Sequence, residues 1–226
     1  MERPITTLFM LMSADGKIST GKTDALDFDR DLPLIKGVRE GLGQYYEIEQ
    51  TTDLWALNSG RVMAKTGVNE GEMPGKTPVS FAILDNSHLT AHGVRHFCAR
   101  AKQFVLITSD PAHPAFGVEA ENMHIILQEK PDIRAALVRL KGEYGCERLT
   151  VQTGGTLNGL LLREKLIDYL DLIVAPLLVG GSETATLIDG DSLMSRQELP
   201  KLGVLELVAA EPLAHSYLRL RYKVIS

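Results

Sequence analysis

The feature that most constrains the fold is a series of short apolar segments separated by longer amphipathic ones. Phe104–Thr108 reads FVLIT, and Asp168–Ala175 reads DYLDLIVA and stops at Pro176. Short apolar segments rich in β-branched residues predict strands that are buried on both faces. Such strands occur mainly in parallel sheets covered by helices, so the pattern predicts an α/β fold.

The same pattern predicts strands and helices along the whole chain. Two strands at the C-terminus, joined around residues 211–215, predict an antiparallel hairpin. The predicted fold is therefore a mostly parallel central sheet flanked by helices, with this hairpin at the C-terminal end, in a single domain over residues 1–226. Residues 66–78, rich in glycine and polar groups, predict a loop. The other predicted strands are Ile5–Met12, Asp53–Asn58, Val79–Leu84, Met123–Leu127, Glu147–Gln152, Gly203–Ala210 and Ser216–Ile225, and the predicted helices are Phe28–Leu42 (N-capped by Asp27 or Asp29), Pro131–Tyr144 and a segment after Gly155.

Composition excludes several classes of partner. The chain has 226 residues and a net charge of −5 without a basic run, so we expect no nucleic-acid partner. Its apolar segments are too short for a membrane span, and its N-terminus lacks the basic region of a signal peptide. Cys98 and Cys146 lie far apart without metal-binding spacing, which predicts reduced thiols and a cytoplasmic protein.

Three histidines have a spacing that a helical metal site could use. His88, His92 and His96 recur every four residues. Thr90, Gly93 and the absence of nearby acids argue against this interpretation, and we predict no metal site.

The stretch VQTGGTLNGLLL, residues 151–162, joins a strand to a helix through Gly154 and Gly155. Glycines let the backbone approach a bulky group, and the N-terminus of the following helix offers free N–H groups and a partial positive charge. An anion such as phosphate would bind there. A tight connection without a ligand is the alternative, and the sequence leaves both open.

Three other segments follow predicted strands in the same way. Residues 13–19 combine a carboxylate, a cation and hydroxyls; residues 58–61 place Arg61 after a serine and a glycine; residues 176–181 end in a glycine pair. Each has a simpler interpretation: a turn, a helix cap by Asn58 or Ser59, or a loop that needs positive φ. Together they predict an extended, phosphate-bearing ligand such as a dinucleotide, because loops at the carboxyl ends of parallel strands line the binding crevice.

An ordered set of short motifs resembles one family. The motifs are Ser13-Ala-Asp-Gly-Lys-Ile, Val151-Gln-Thr-Gly-Gly-Thr-Leu, Leu166-Ile-Asp, Ala175-Pro with Gly180-Gly181, and Asp189-Gly190. In this order they resemble the RibD C-terminal domain family, the dihydrofolate-reductase-like reductases of riboflavin biosynthesis. The resemblance implies an NADPH-dependent reductase, usually a homodimer, that reduces the ribosyl group of an aminopyrimidine 5′-phosphate to a ribityl group.

The resemblance also implies roles for individual residues. Asp15 and Lys17 become the candidate catalytic residues, with a proton supplied directly or through water that they hold. The implied cofactor-binding residues are Asn58, Ser59, Gly60, Arg61, Thr108, Ser109, Thr153, Gly154, Gly155, Thr156 and Leu157. The implied substrate-binding residues are Ser13, Asp15, Lys17, Ser19, Gly180 and Gly181.

Two departures from the family pattern leave the substrate open. Gln152 replaces a common glutamate, and Arg61 and Lys65 stand where threonine and aspartate are common. Replacing an acid with a cation reverses the local charge. The alternatives are therefore a reductase of a pterin, a folate-like ring or another small carbonyl or imine compound, and a nucleotide-binding module without catalysis.

Overall fold

The structure is a computed structural model that describes residues 2–225. These residues form two compact units, one made of residues 2–5 and 53–153 and the other of residues 6–52 and 154–225. That the whole chain is one domain stays a prediction. Each helix in the described range is too short or too polar to cross a lipid bilayer.

Every predicted strand is present, with its ends shifted by no more than two residues. The strands are β1 (Ile5–Ser13), β2 (Trp55–Ser59), β3 (Ser80–Leu84), β4 (Phe104–Thr108), β5 (Met123–Leu127), β6 (Arg148–Val151), β7 (Tyr169–Ala175), β8 (Leu205–Pro212) and β9 (Leu218–Val224). The helices are α1 (Phe28–Asp31), α2 (Arg39–Glu49), α3 (Gly60–Lys65), α4 (Ala91–Arg100), α5 (Ile133–Tyr144) and α6 (Gly155–Arg163), with single 3-10 segments at 32–34, 114–117, 196–201 and 214–216.

The first unit contains a sheet of parallel strands in the order β5-β4-β3-β2-β6. Phe81, Phe97 and Phe104 pack together in its core, with ring centroids 5.6 and 5.2 Å apart. This packing buries α4 against the sheet. Because the strands are parallel, the carboxyl ends of β2, β3 and β4 lie at one edge.

The second unit contains strands in the order β1-β7-β9-β8. β1 and β7 are parallel, whereas β9 is antiparallel to both β7 and β8. Phe9 of β1 stacks on Tyr45 of α2 at 5.2 Å between ring centroids. The predicted α/β class and the C-terminal antiparallel hairpin are confirmed.

The prediction of one helix over Phe28–Leu42 is wrong. Asp27 does cap α1 by accepting a hydrogen bond from the Asp29 N–H at 3.0 Å, but the helix ends at Asp31. Pro33 has no N–H to continue the ladder, and Gly37 has a φ of +90°, which reverses the chain before α2 begins.

Helix α4 was not predicted, because its sequence AHGVRHFCAR mixes a glycine and two histidines with few aliphatic residues. The hydroxyl of Thr90 caps it by accepting from the Gly93 N–H at 3.3 Å. The predicted loop over residues 66–78 contains no helix or strand, which confirms that prediction.

Helix α6 packs closely against the segment 186–189 of the same unit. A Cβ atom on Gly155 would overlap the carbonyl oxygen of Thr186 and the carboxylate of Asp189. A Cβ atom on Gly159 would overlap the carbonyl oxygen of Asp189. The backbone of Asp189 also donates to the Gly155 carbonyl at 2.9 Å. The glycines of α6 are therefore required by this close approach.

We expect Gly159→Ala to lower the free energy of unfolding by about 1–3 kcal/mol, because the added methyl group meets a backbone oxygen that cannot rotate away. Gly43→Ala in α2 is the matched control: its Cβ would meet no atom within 4 Å, so we expect a gain of about 0.5–1 kcal/mol from helix propensity. Urea unfolding followed by circular dichroism measures both changes. Equal effects of the two substitutions would contradict the packing argument.

Candidate active site

A pocket in the first unit lies where β2, β3 and β4 end. Its volume is about 360 Å³, within the range of roughly 300–1,000 Å³ that is usual for small-molecule sites. The structure brings together four of the predicted cofactor-binding residues there. The lining residues are Ser59, Arg61, Leu84, Asp85, Asn86, Ser87, His88, Ile107, Thr108, Ser109, Gln128, Pro131 and Ile133.

The lining of this pocket is apolar on some sides and polar on others. Leu84, Ile107 and Ile133 supply apolar surface, against which a flat ring can pack. The hydroxyls of Thr108 and Ser109 both contact the Asn86 side-chain oxygen, at 3.0 and 3.2 Å. The pocket therefore suits a ligand with a ring and a polar or anionic group.

Ser59 and its neighbours form the start of α3. The Ser59 hydroxyl accepts from the Val62 N–H at 3.3 Å, so the interpretation of Ser59 as a helix cap is confirmed. Arg61 lies in the first turn of α3 and lines the pocket. Asn58 is buried in β2 and is not a lining residue.

A buried carboxylate, Asp85, organises the loop after β3. It accepts hydrogen bonds from the N–H groups of His88 and Leu89, at 3.0 and 2.8 Å. Burial raises the pKa of Asp85, but these hydrogen bonds, with those from the His113 and His88 rings, outweigh it and hold the pKa below its usual value. A Cβ atom on Gly60 would overlap this carboxylate, which explains the glycine at the start of α3.

Two imidazole rings complete the surroundings of Asp85. The Nδ1 atom of His113 accepts from the Ala115 N–H at 3.0 Å, so its Nε2 atom carries the hydrogen that is donated to Asp85 at 3.0 Å. His113 is buried, and its hydrogen bond to Asp85 is therefore shielded from water. His88 places Nδ1 2.9 Å from the carboxylate, and this contact fixes its ring where it lines the pocket.

The three histidines with helical spacing have different surroundings. His88 contacts Asp85, His92 contacts the Gly71 carbonyl at 2.8 Å, and His96 is buried. The sequence argument that no acid lies near them is wrong, because Asp85 binds His88. Within residues 2–225 there is no group of three or more side chains that could hold a metal ion.

Sequence reasoning missed Asp85, Asn86 and His88 as pocket residues. In the sequence, Asp85-Asn86-Ser87 is typical of a turn that closes a strand. The available signal was the one used for residues 58–61, namely polar groups directly after a parallel strand.

The predicted substrate-binding residues of the second unit contact one another. The Asp15 carboxylate accepts from the Ser13 hydroxyl and from the N–H groups of Val179 and Gly180, at 2.5, 3.1 and 2.6 Å. These hydrogen bonds lower the pKa of Asp15 to about 2. The hydrogen bond from the Ser13 hydroxyl has the largest effect, followed by those from the amides of Gly180 and Val179. At neutral pH Asp15 is therefore an anion and cannot donate a proton.

Lys17 contacts the same loop. Its ammonium donates to the carbonyls of Gly181 and Thr184, at 2.7 and 2.9 Å, so two of its three N–H donors are engaged. Gly180 and Gly181 have φ values of +72° and +81°, as the simpler interpretation of this loop requires. Ser19 instead bonds the carbonyls of its own loop, at residues 21 and 26.

Packing within the second unit explains the glycine at position 155 of the Gly154-Gly155 turn without a ligand. Gly155 is buried beneath residues 186–189, as described for α6. The carboxylate of Asp189 near Gly155 accepts from the hydroxyl and the N–H of Thr186, at 2.6 and 3.1 Å. The tight-connection interpretation thus accounts for Gly155, while Thr156 is exposed at the first turn of α6. Phosphate binding by this turn stays a prediction.

Comparison with known proteins identifies the family. The model of the RibD C-terminal domain matches residues 58–212. This chain belongs to that family. It is 28% identical over 198 residues to the 2,5-diamino-6-ribosylamino-4(3H)-pyrimidinone 5′-phosphate reductase of Methanothermobacter thermautotrophicus, an alignment that covers 84% of this chain and 86% of that protein.

Solved structures show the same fold. RibD of Acinetobacter baumannii has a TM-score of 0.69 at 14% identity, and the alignment covers 99% of this chain but 59% of that one. A dihydrofolate reductase of Enterococcus faecalis in complex with NADP(H) has a TM-score of 0.51 at 14% identity, over 98% of this chain and 97% of that one. The predicted dihydrofolate-reductase-like fold is confirmed.

The Asp15 carboxylate makes stability depend on pH in a defined direction. Its pKa in the folded protein, about 2, lies below its ordinary value of 3.8, so its contribution to stability is present above that value and is lost as pH falls through about 2. We expect wild type to have a higher melting temperature than Asp15→Asn above pH 4. This difference should shrink between pH 4 and 2. Thermal unfolding at a series of pH values measures this difference in melting temperature. A difference that grows on acidification would contradict the lowered pKa of Asp15.

Proposed function

We propose that this protein is an NADPH-dependent reductase of the riboflavin pathway that converts the ribosyl group of an aminopyrimidine ribosyl 5′-phosphate to a ribityl group. The observation that carries this proposal is the RibD C-terminal domain match over residues 58–212. The name of the Methanothermobacter relative, aligned over 84% of this chain, supports the same substrate class.

Reductases of this family use a nicotinamide cofactor, and the pocket of the first unit fits one end of it. The adenine ring would pack against Leu84, Ile107 and Ile133, and Arg61 and Ser109 offer hydrogen-bond donors to phosphate or ribose. We propose that Thr153–Leu157 also contact the cofactor.

When it is bound, the reduced nicotinamide would supply a hydride to an electrophilic carbon of the ribosyl group. The chain itself positions the substrate and manages the proton. Because Asp15 is ionised, we propose that it orients a water molecule that delivers the proton. The Lys17 ammonium, which bonds the Gly181 carbonyl of the loop that Asp15 also binds, supplies positive charge on the proposed substrate side, and Ser13 and Ser19 supply hydroxyls there.

Arg61 is the proposed reason for a preference for NADPH over NADH. The two cofactors differ by a 2′-phosphate, and an arginine fork binds phosphate through two N–H groups. Arg61 lines the pocket in which we place the adenosine. His88, whose ring is held by Asp85, is a second polar group that lines the same pocket.

We expect Arg61→Ala to weaken NADPH binding about 10- to 100-fold, the loss of one or two hydrogen bonds to a charged group, and to leave NADH binding nearly unchanged. Arg95→Ala, an exposed arginine of α4, is the matched control and should change neither constant. Quenching of intrinsic fluorescence by each cofactor measures both dissociation constants. Equal losses for NADPH and NADH would contradict the role of Arg61.

The proposed reaction is tested by the loss of nicotinamide absorbance with a panel of substrates. We expect turnover with the diaminopyrimidinone or aminouracil ribosyl 5′-phosphate, and none with dihydrofolate or dihydropterin. Turnover of a pterin or folate alone would replace the proposed substrate. Cofactor binding without turnover of any compound would instead favour a module without catalysis.

Two further parts of the proposal concern where and how the enzyme works. We propose that it is a homodimer, as is usual in the family. We also propose a cytoplasmic location, supported by the free thiols of Cys98 and Cys146.

A further inference from the structure

The Asp85 carboxylate of the first unit is bound by two imidazole rings, and one of them is locked in its neutral form. The Nδ1 atom of His113 accepts from the Ala115 N–H at 3.0 Å, and its Nε2–H donates to Asp85 at 3.0 Å. Both ring nitrogens are therefore engaged. A second proton on this ring would break the hydrogen bond from Ala115.

The ring of His88 is arranged differently. Its Nδ1 atom lies 2.9 Å from an Asp85 oxygen. Asp85 is an ionised carboxylate with no hydrogen to donate, so the hydrogen of this bond is on Nδ1. The other ring nitrogen, Nε2, has no hydrogen-bond partner within residues 2–225, and the side chain is 47% exposed and lines the pocket. Nε2 can therefore take up a proton without breaking a contact.

Few charges line this pocket. Its ionisable lining residues are Arg61 in α3, Asp85 after β3 and His88 itself. Arg61 and Asp85 offset one another, so the pocket is close to neutral while His88 is uncharged. A proton on His88 gives the pocket one net positive charge. The lining residues after β5 add no charge, since they are Gln128, Pro131 and Ile133.

In the described part of the chain, the other groups packed around His88 do not line the pocket. They are neutral or bound to partners of their own. A change of charge on His88 is therefore the one that acts directly on a ligand. These other groups are His113 (bound to Asp85), Asp110 (bound to the Ala112 N–H at 2.8 Å), His92 (bound to the Gly71 carbonyl) and the neutral amide of Asn69 (bound to the His88 carbonyl).

We propose that His88 is a specificity-determining residue that binds the 2′-phosphate of the cofactor in its protonated form, so that binding of this phosphate is coupled to uptake of a proton. This inference rests on the proposed function, which places the adenosine end of the cofactor in the pocket. An imidazolium donates from both nitrogens, so Nδ1 can stay on Asp85 while Nε2 binds phosphate. The proton also offsets the Asp85 charge, which would otherwise repel the phosphate.

This coupling makes the affinity for NADPH depend on pH in a defined direction. Histidine is the side chain whose charge commonly changes between about pH 5 and 8. The contact needs the protonated His88 ring, so it is present at low pH and lost as pH rises. NADH lacks the 2′-phosphate, and its affinity should not follow this change. Arg61 keeps its charge throughout, so the preference for NADPH becomes smaller at high pH but persists.

The test compares His88→Gln, which keeps a donor for Asp85 but cannot be protonated, with His92→Gln, a histidine of α4 that does not line the pocket. Calorimetry measures the dissociation constants of NADPH and NADH at a series of pH values. Between about pH 6 and 8, the constant for NADPH should rise about 5- to 20-fold more in wild type and His92→Gln than in His88→Gln. The ionisation of the phosphate itself is common to all three proteins and cancels in this comparison.

Two results would overturn the inference. One is an equal pH dependence of NADPH binding in wild type and His88→Gln. The other needs no variant: equal pH dependence for NADPH and NADH in wild type would place His88 away from the 2′-phosphate.

Proton uptake is measured directly by binding adenosine 2′,5′-bisphosphate in buffers with different heats of ionisation. At about pH 7, wild type should take up a measurable fraction of a proton, and His88→Gln close to none. This probe has no nicotinamide, so the result does not depend on the reaction. Uptake that depends on His88, in a protein that reduces no pyrimidine, would support the inference and refute the proposed reductase. Turnover of the pyrimidine without such uptake would refute the inference and leave the function intact.

Discussion

The pocket of the first unit depends on one buried carboxylate. Asp85 gathers three backbone N–H groups and two imidazole rings around itself, and its position requires a glycine at the start of α3. A buried charge is tolerated only when hydrogen bonds replace the water it has lost. Those hydrogen bonds in turn fix the loop after β3, whose polar groups line the pocket. The hydrogen bonds of Asp85 therefore both compensate its buried charge and fix the shape of the pocket.

Aspartates play a comparable part in the second unit. Asp15 holds the loop at residues 179–180, and Asp189 holds Thr186 against the first turn of α6. The sequence left each glycine-containing strand exit open, as a binding site for a ligand anion or as a connection without a ligand. At the 179–181 loop, the anion bound by the backbone amides is a side chain of the protein itself. Loops closed in this way keep their shape before any ligand arrives, which reduces the ordering cost of binding.

The strands were predictable because their signal is local: each is a short apolar segment that ends in glycine, proline or polar residues. The break near Pro33 also has a local signal, because proline cannot donate the hydrogen bond that continues a helix. Ser59 and Arg61 were found because they directly follow a predicted strand, whereas Thr108 and Ser109 came only from the family resemblance. The contacts of Asp85 with His113, 28 residues away, and of Asp15 with Gly180, 165 residues away, depend on tertiary packing that no local pattern encodes.

The C-terminal hairpin has an interrupted register between Leu207 and Ala209, where Val208 forms a bulge. A long, flat, apolar edge strand would recruit strand after strand and lead to open-ended, amyloid-like growth. A bulge and a proline at the end of the strand, here Pro212, block such edge-to-edge pairing. The irregularity thus protects a concentrated solution of the protein from fibrous aggregation.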